Sequence, residues 1–253
     1  MNHDIEYYQK IQGTYGASSL KEASIRKSKR TVNRDWKRNY DWEQVTIDGQ
    51  TCDLKILKGT VRTHKRIKAR PDDILKLGQI VYWRNTAWLI RALDVDNKIQ
   101  YSGDMYQCSF VLRWRLPNGE IHEELAESED ASKYGSGVDT TSYMQLPYFT
   151  IKVRVQANEF TLNVGRDKRF LIGQLGLQNK PRPFILSRIN DVIYRYFYEG
   201  GEQQGTGYVE WTLVEDLSDT EQDDFTMGIA ANNPYPEVSA NKETPQSNEG
   251  WWG

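Results

Sequence analysis

Few residues in this chain have the side chains that chemistry needs. Its 253 residues include three histidines, His3, His64 and His122, and two cysteines, Cys52 and Cys108. A transition-metal site needs such groups at ligand spacing. His122 is followed by Glu123 and Glu124, but no second His or Cys stands close enough to complete a set. No metal is therefore expected. Cys108 has no histidine near it in sequence, and two thiols this far apart read as strand residues in a reducing compartment. Asp94-Val95-Asp96-Asn97 begins like a calcium loop but lacks the glycine and the closing glutamate, so it reads as a turn. The carboxylate pairs Asp72-Asp73 and Asp223-Asp224 lie in polar surroundings that predict a solvated face. No phosphate-cradling loop, nucleophile elbow, zinc-protease helix or dinucleotide fingerprint is present. The expectation is a protein that is not an enzyme, with no catalytic residues and no cofactor.

Charge is the stronger signal. The chain as a whole is at -2, but residues 1–70 carry 16 Lys and Arg against 8 Asp and Glu. Residues 199–253 carry a single Lys against 12 Asp and Glu. Opposite charge at opposite ends suits head-to-tail contact between copies, or contact with two different partners. The basic half is densest in KGTVRTHKRIKAR, which holds six cations from Lys58 to Arg70. Arg62, Lys65, Arg66, Lys68 and Arg70 are the candidates to face DNA or an acidic partner. A solvated charged face remains the alternative for them. At the other end, Trp251 and Trp252 are candidate anchors for a partner's pocket.

These residues must be positioned by strands. Ser19 followed by Glu22 fits a capping box for one short helix, running through the basic stretch Lys21 to Arg38. Asp48-Gly49, Asn85-Thr86 and Asn118-Gly119 mark turns. Strands are expected over 79–83, 88–93, 99–101, 148–155, 159–164, 169–172 and 208–215, and residues 184–190 are expected to pair with 192–198. Tyr106 to Leu116 reads as one long strand with Cys108, Phe110, Leu112, Trp114 and Leu116 on one face. Residues 126–142, acidic and then rich in Ser, Gly and Thr, read as a long loop. Short strands at this spacing predict a mainly β protein: a small barrel or sandwich core with extended N- and C-terminal arms and a short N-terminal helix. The expected division is a basic arm with a short helix and a hairpin over 1–71, a β-barrel or sandwich domain over 72–217 and an acidic, extended tail over 218–253. No run approaches the about 20 apolar residues of a membrane helix. The polar start of the chain shows no export signal, so a protein made and kept in a cytoplasm is expected.

An ordered series of short motifs adds a resemblance. Gly78-Gln79-Ile80-Val81-Tyr82-Trp83 with Trp88-Leu89-Ile90 comes first. Gln107-Cys108, Leu112-Arg113-Trp114 and Pro117-Asn118-Gly119-Glu120 follow. Next are Asn158-Glu159-Phe160-Thr161, Arg169-Phe170-Leu171-Ile172-Gly173 and Pro183-Phe184-Ile185-Leu186-Ser187-Arg188-Ile189, and Trp211 to Asp216 closes the series. Over roughly residues 72–217 this order resembles the head-closure, stopper-like structural proteins at the head–tail junction of tailed double-stranded DNA phages. The resemblance implies a β-barrel module with arms, assembled as a homo-oligomeric ring in the neck of the virion. Its implied partners are its own copies, portal or adaptor proteins, tail proteins and packaged double-stranded DNA. No membrane and no small-molecule substrate is implied. A tail-completion, tail-terminator or minor capsid protein is the alternative within the virion. A cytoplasmic nucleic-acid-binding barrel is the alternative of another class.

Overall fold

The computed structural model describes residues 5–8, 10, 16–94, 96–130, 149–173, 181–190, 195–199, 202–217 and 222–230. The chain is mainly β, with a closed six-stranded barrel, a second six-stranded sheet, a two-stranded ribbon and one 16-residue helix. The helix, α1 (Leu20–Asp35), starts where the sequence predicts. The Ser19 side chain accepts a hydrogen bond from Glu22 N at 3.2 Å. The reciprocal half of the cap is displaced by one residue, since Glu22 Oε2 takes the backbone N–H and the hydroxyl of Ser18. No residue of α1 is buried. What fixes the helix is the turn after it, Trp36–Arg38, whose Trp36 is 1% exposed and lies under the Lys55 ammonium at 4.8 Å.

The barrel is built from β1 (Trp42–Ile47), β2 (Gln50–Lys58), β3 (His64–Ala69), β4 (Ile80–Trp83), β5 (Thr86–Asp94) and β6 (Ser102–Gln107). Its order is β1-β2-β3-β6-β5-β4, closed by antiparallel pairing of β1 with β4. Asp48-Gly49 turns β1 into β2 with both residues at positive φ, as a two-residue hairpin of this twist needs. The next tight turn is Arg84-Asn85, one residue earlier than the expected Asn85-Thr86, because Trp83 pairs with Thr86. Alternation sends Val45, Ile47, Leu54, Ile67, Ala69, Val81, Trp88, Ile90 and Met105 into one core.

The second sheet has the order β10-β11-β14-β9-β8-β7. Its strands are β7 (Phe110–Arg115), β8 (Ile121–Asp130), β9 (Thr150–Gln156), β10 (Arg169–Ile172), β11 (Arg182–Asn190) and β14 (Tyr208–Glu215). A ribbon of β12 (Arg195–Glu199) and β13 (Glu202–Thr206) stands between β11 and β14 in sequence. The sheet curls until its two edge strands share a core. Trp114 of β7 meets Phe170 of β10 edge-on at 5.9 Å, and Phe170 stacks on Trp211 of β14 at 5.6 Å.

Several expectations are corrected. Residues 42–69 are not part of an arm. They form half of the barrel, because β3 pairs with β6 and β1 with β4 across the expected boundary at 71. The strand through Cys108 is broken into β6 and β7. Cys108 N still bonds Ala87 O in the barrel at 2.9 Å, while Ser109 N bonds Ala126 O in the sheet at 2.8 Å. Those two residues carry the chain from one unit to the other. At Asn118-Gly119 the hairpin forms, but its loop spans Leu116 to Glu120 and Gly119 alone has positive φ. Residues 126–130 belong to β8 rather than to a loop, since Glu127 and Glu129 bond an arginine on the neighbouring strand. The expected 159–164 strand is a single helical turn, α2 (Glu159–Leu162), held by a capping box between Asn158 and Thr161. Residues 184–190 pair with β10 and β14, not with 192–198.

The barrel and the sheet press on each other. A small apolar cluster joins Ile80 and Leu89 to Tyr208, with Cys108 and Leu125 packed beside it. Gly78, at φ +83°, lies so close to Gly207 that an added Cβ would meet its carbonyl oxygen at 1.7 Å.

Candidate interaction surface

The β2–β3 hairpin carries most of the basic run, and the barrel wall divides it. Register places Lys58 opposite Lys65, Leu57 opposite Arg66 and Lys55 opposite Lys68. Arg66 and Lys68 share the outer face with Lys55. Lys58 and Lys65 continue the inner row of Leu54, Ile56, Ile67 and Ala69 beyond its last apolar rung, at the rim of the barrel. Arg62 lies exposed in the loop between the strands. Arg70 is elsewhere in function: its Nε donates to Asn33 Oδ1 at 2.9 Å and ties α1 to the barrel. The five residues grouped by sequence are therefore a rim pair, an outer-face pair and a structural strut. Trp251 and Trp252 lie outside the described residues.

Like charges directly across a ladder repel, by about 0.2–1 kcal/mol in a typical pair. Two such pairs occur here, Lys58 with Lys65 on the inner row and Lys55 with Lys68 on the outer face. Among the described residues, none of Lys58, Arg62, Lys65, Arg66 and Lys68 forms an ion pair. The one carboxylate across from Arg66, Asp104, is engaged by His64 Nε2 at 2.9 Å. His64 in turn accepts the Thr60 N–H on Nδ1 at 3.0 Å and stacks on Tyr106 at 4.6 Å, and the Arg91 guanidinium lies over the Tyr106 ring at 4.0 Å from its centroid. His64 is thus a scaffold for the hairpin.

The remaining candidates for chemistry do not converge. His122 is held between Trp114 at 4.5 Å and Phe160 at 4.3 Å, and its Nε2 lies 3.2 Å from Glu124 Oε2. Burial pushes the Glu124 carboxyl above the usual carboxylate range, against the bonds from Asn158 and His122. Burial also pushes the Cys108 thiol up to about 12, with Glu127 and Glu124 adding to it, and it raises Cys52. Both thiols stay protonated and unreactive at neutral pH. Among the described residues no group of three or more His, Cys, Asp and Glu is placed to hold a metal ion, and no helix is long and apolar enough to cross a membrane.

Sequence reasoning missed the strongest electrostatic feature. Arg154, in the middle of β9, is 5% exposed and bonds Glu210 at 2.8 Å, Glu127 at 3.0 Å and Glu129 at 2.8 Å. Glu127 also takes Arg91 of the barrel at 3.3 Å, so the network spans the joint between the two units. A second arginine, Arg169, bonds Asp216, the fully buried Asp223 and the Leu217 carbonyl. It fastens the start of the expected acidic tail to its own sheet: Ile229 and Ala230 are buried, and Asp224 bridges Ile229. The tail is thus not extended over residues 222–230.

No family model matches the chain, and no curated protein matches it. Among solved structures it is similar to MrkH, described as a novel c-di-GMP dependence transcription regulatory factor. That similarity has a TM-score of 0.24 and 8% identity, over 78% of this chain and 84% of the other. A likeness at that level carries no argument about function.

Proposed function

We propose that the chain is a structural virion protein of a tailed phage, a ring subunit of the head–tail connector that joins portal to tail and helps to retain or pass DNA. The ordered motifs over 72–217 suggest the family. The observation that carries the reading is the β2–β3 hairpin, where five cations stand without an acidic partner among the described residues and two like-charge pairs face each other across the ladder. An isolated domain gains nothing from that arrangement. A subunit that meets DNA or an acidic neighbour does. The barrel and the sheet, joined through Gly78, the Tyr208 cluster and the Arg91–Glu127 pair, suit a role in transmitting load rather than turning over a substrate.

The test is to label the protein in intact particles and image them. Label confined to the neck is the expected result. Label on the tail tip, the tail tube or the shell removes the neck reading and favours a tail-completion, terminator or minor capsid role. A second reading, a nucleic-acid-binding barrel of the cytoplasm, draws on the same hairpin. It requires the isolated chain to bind nucleic acid with an affinity that falls steeply with salt.

A further inference from the structure

The barrel is polarised along β2 and β3. One end carries Lys58, Arg62, Lys65 and Arg66. The other end carries Asp53, Asp72, Asp73, Asp94 and Asp96, against the cations Lys29, Arg70 and Lys98. Lys29 and Asp72 are already paired with each other at 2.6 Å and Arg70 is bonded to Asn33, which leaves Asp53, Asp73, Asp94 and Asp96 against Lys98. β3 separates the two ends by about 20 Å, its six residues at about 3.3 Å each. The ends also differ in shape. The hairpin is a protrusion whose tip exposes an apolar residue, Val61, at 56%. The acidic end holds a cleft of about 310 Å³ lined by Lys29, Asp72, Asp73, Ile74, Lys98 and Tyr101, with Ile74 69% exposed at its edge.

We infer that the Lys58–Lys65 hairpin of one copy docks into the Asp72–Asp73 cleft of the next, as the head-to-tail contact that links subunits. This deepens the ring reading above. Charge complementarity selects the orientation, and Val61 against Ile74 and Tyr101 supplies the apolar centre that interfaces need. An apolar tip fits a protein cleft better than a phosphate backbone, so a second copy is favoured over DNA as the occupant. Because the two surfaces differ, the contact is heterologous and generates a ring when its rotation closes. The Asp73 carboxyl, raised by burial against the pull of Arg70 and further by Asp53 and Asp72, gains a second cation when Arg62 arrives.

The test is charge reversal on the full chain, read by sedimentation. Arg62→Glu and Asp73→Lys both change exposed residues, so neither threatens the fold. Each alone should weaken self-association at least about tenfold. Their equimolar mixture should restore it, because the reversed hairpin then meets the reversed cleft, and so should the double variant. Wild-type association should also weaken toward about 1 M salt, where the Debye length is about 3 Å. A chain that stays monomeric at its highest soluble concentration overturns the inference. So does association that ignores either single substitution, or a mixture that fails to restore it. If Arg62→Glu abolishes binding to a DNA duplex while leaving self-association unchanged, the hairpin belongs to DNA and the inference also fails. The outcome is separable from the particle labelling: subunits that associate through this contact but are absent from the neck leave the contact standing and remove the neck.

Discussion

Arg154 and Arg66 hold matching positions. Each sits mid-strand on the face of a six-stranded β structure that points away from its main core. Arg154 has glutamates directly opposite on both flanking strands, Glu127 on β8 and Glu210 on β14. Arg66 has Leu57 on one side and an Asp104 already bound to His64 on the other. The second sheet neutralises its buried charge internally, while the barrel hairpin leaves its charge for something outside. The difference teaches where to look for stability and where to look for function. Substitutions in the sheet should be felt as folding energy, and substitutions on the hairpin as association.

The largest effect should come from Arg154→Ala. It leaves Glu127, which is 5% exposed, with Arg91 alone, leaves Glu210 with only the longer contact to Lys152, and removes the guanidinium from Glu129. Breaking a buried pair from one side costs about 3–5 kcal/mol. Chemical denaturation should show that loss, and a cost below about 1 kcal/mol would break the comparison at its stronger end. Arg169→Ala should come next, at about 3 kcal/mol, since Asp223 keeps no exposed surface on its side chain. This loss should be local first. Limited proteolysis should cut within 217–230 before the sheet unfolds, whereas simultaneous loss of both would show that the segment is integral to the core.

The alternation that places Val153 and Val155 inside was legible in sequence, and so were the Ser19 cap, the Asp48-Gly49 turn and β14. Local rules decide those features. Arg154 was not legible, because a cation every second residue in YFTIKVRV reads as a solvated face until the strands beside it are known. Glu127 and Glu210 are 27 and 56 residues away in the chain. The boundary at 71 failed for a related reason: barrel closure pairs His64 with Tyr106, a long-range register that composition does not show. The basic run was visible, but its division into rim, outer face and strut follows from the pairing of β2 with β3. Asn158-Glu159-Phe160-Thr161 was misread because its β-prone Phe and Thr outweighed a capping box only one turn long.

Acid should separate the two regions again, with opposite signs. The Arg154 guanidinium holds Glu129 below its ordinary value of 4.5. The stability from that lowered group is present above the unfolded value and is lost as pH falls through the folded one. Asp73, raised above its ordinary 3.8 chiefly by burial, behaves in reverse. Its contribution is present below the unfolded value and is lost as pH rises through the folded one. Side-chain carboxyl titration by NMR should place the two midpoints on opposite sides of their usual values. In Arg154→Ala, Glu129 should move back toward 4.5 and Asp73 should not move. If Asp73 followed, the two regions would be electrostatically coupled and the contrast between them would be too simple.

The smallest effect on folding should come from the hairpin, and its sign is the useful part. Lys68→Glu turns a like-charge pair with Lys55 into an opposite-charge one, in a row completed by Ser102 on β6. Exchange of that kind on a half-exposed ladder stabilises by about 0.5 kcal/mol. Thermal unfolding should therefore shift upward slightly. A positively charged residue kept where a negative one would fold better is explained if an acidic partner uses it, and then the same variant should associate more weakly with that partner while melting higher. A variant that melts higher and associates as well as the wild type would mean that Lys68, half-buried beside Lys55, is a bystander. The external partner would then be read by the rim alone, through Lys58, Arg62 and Lys65.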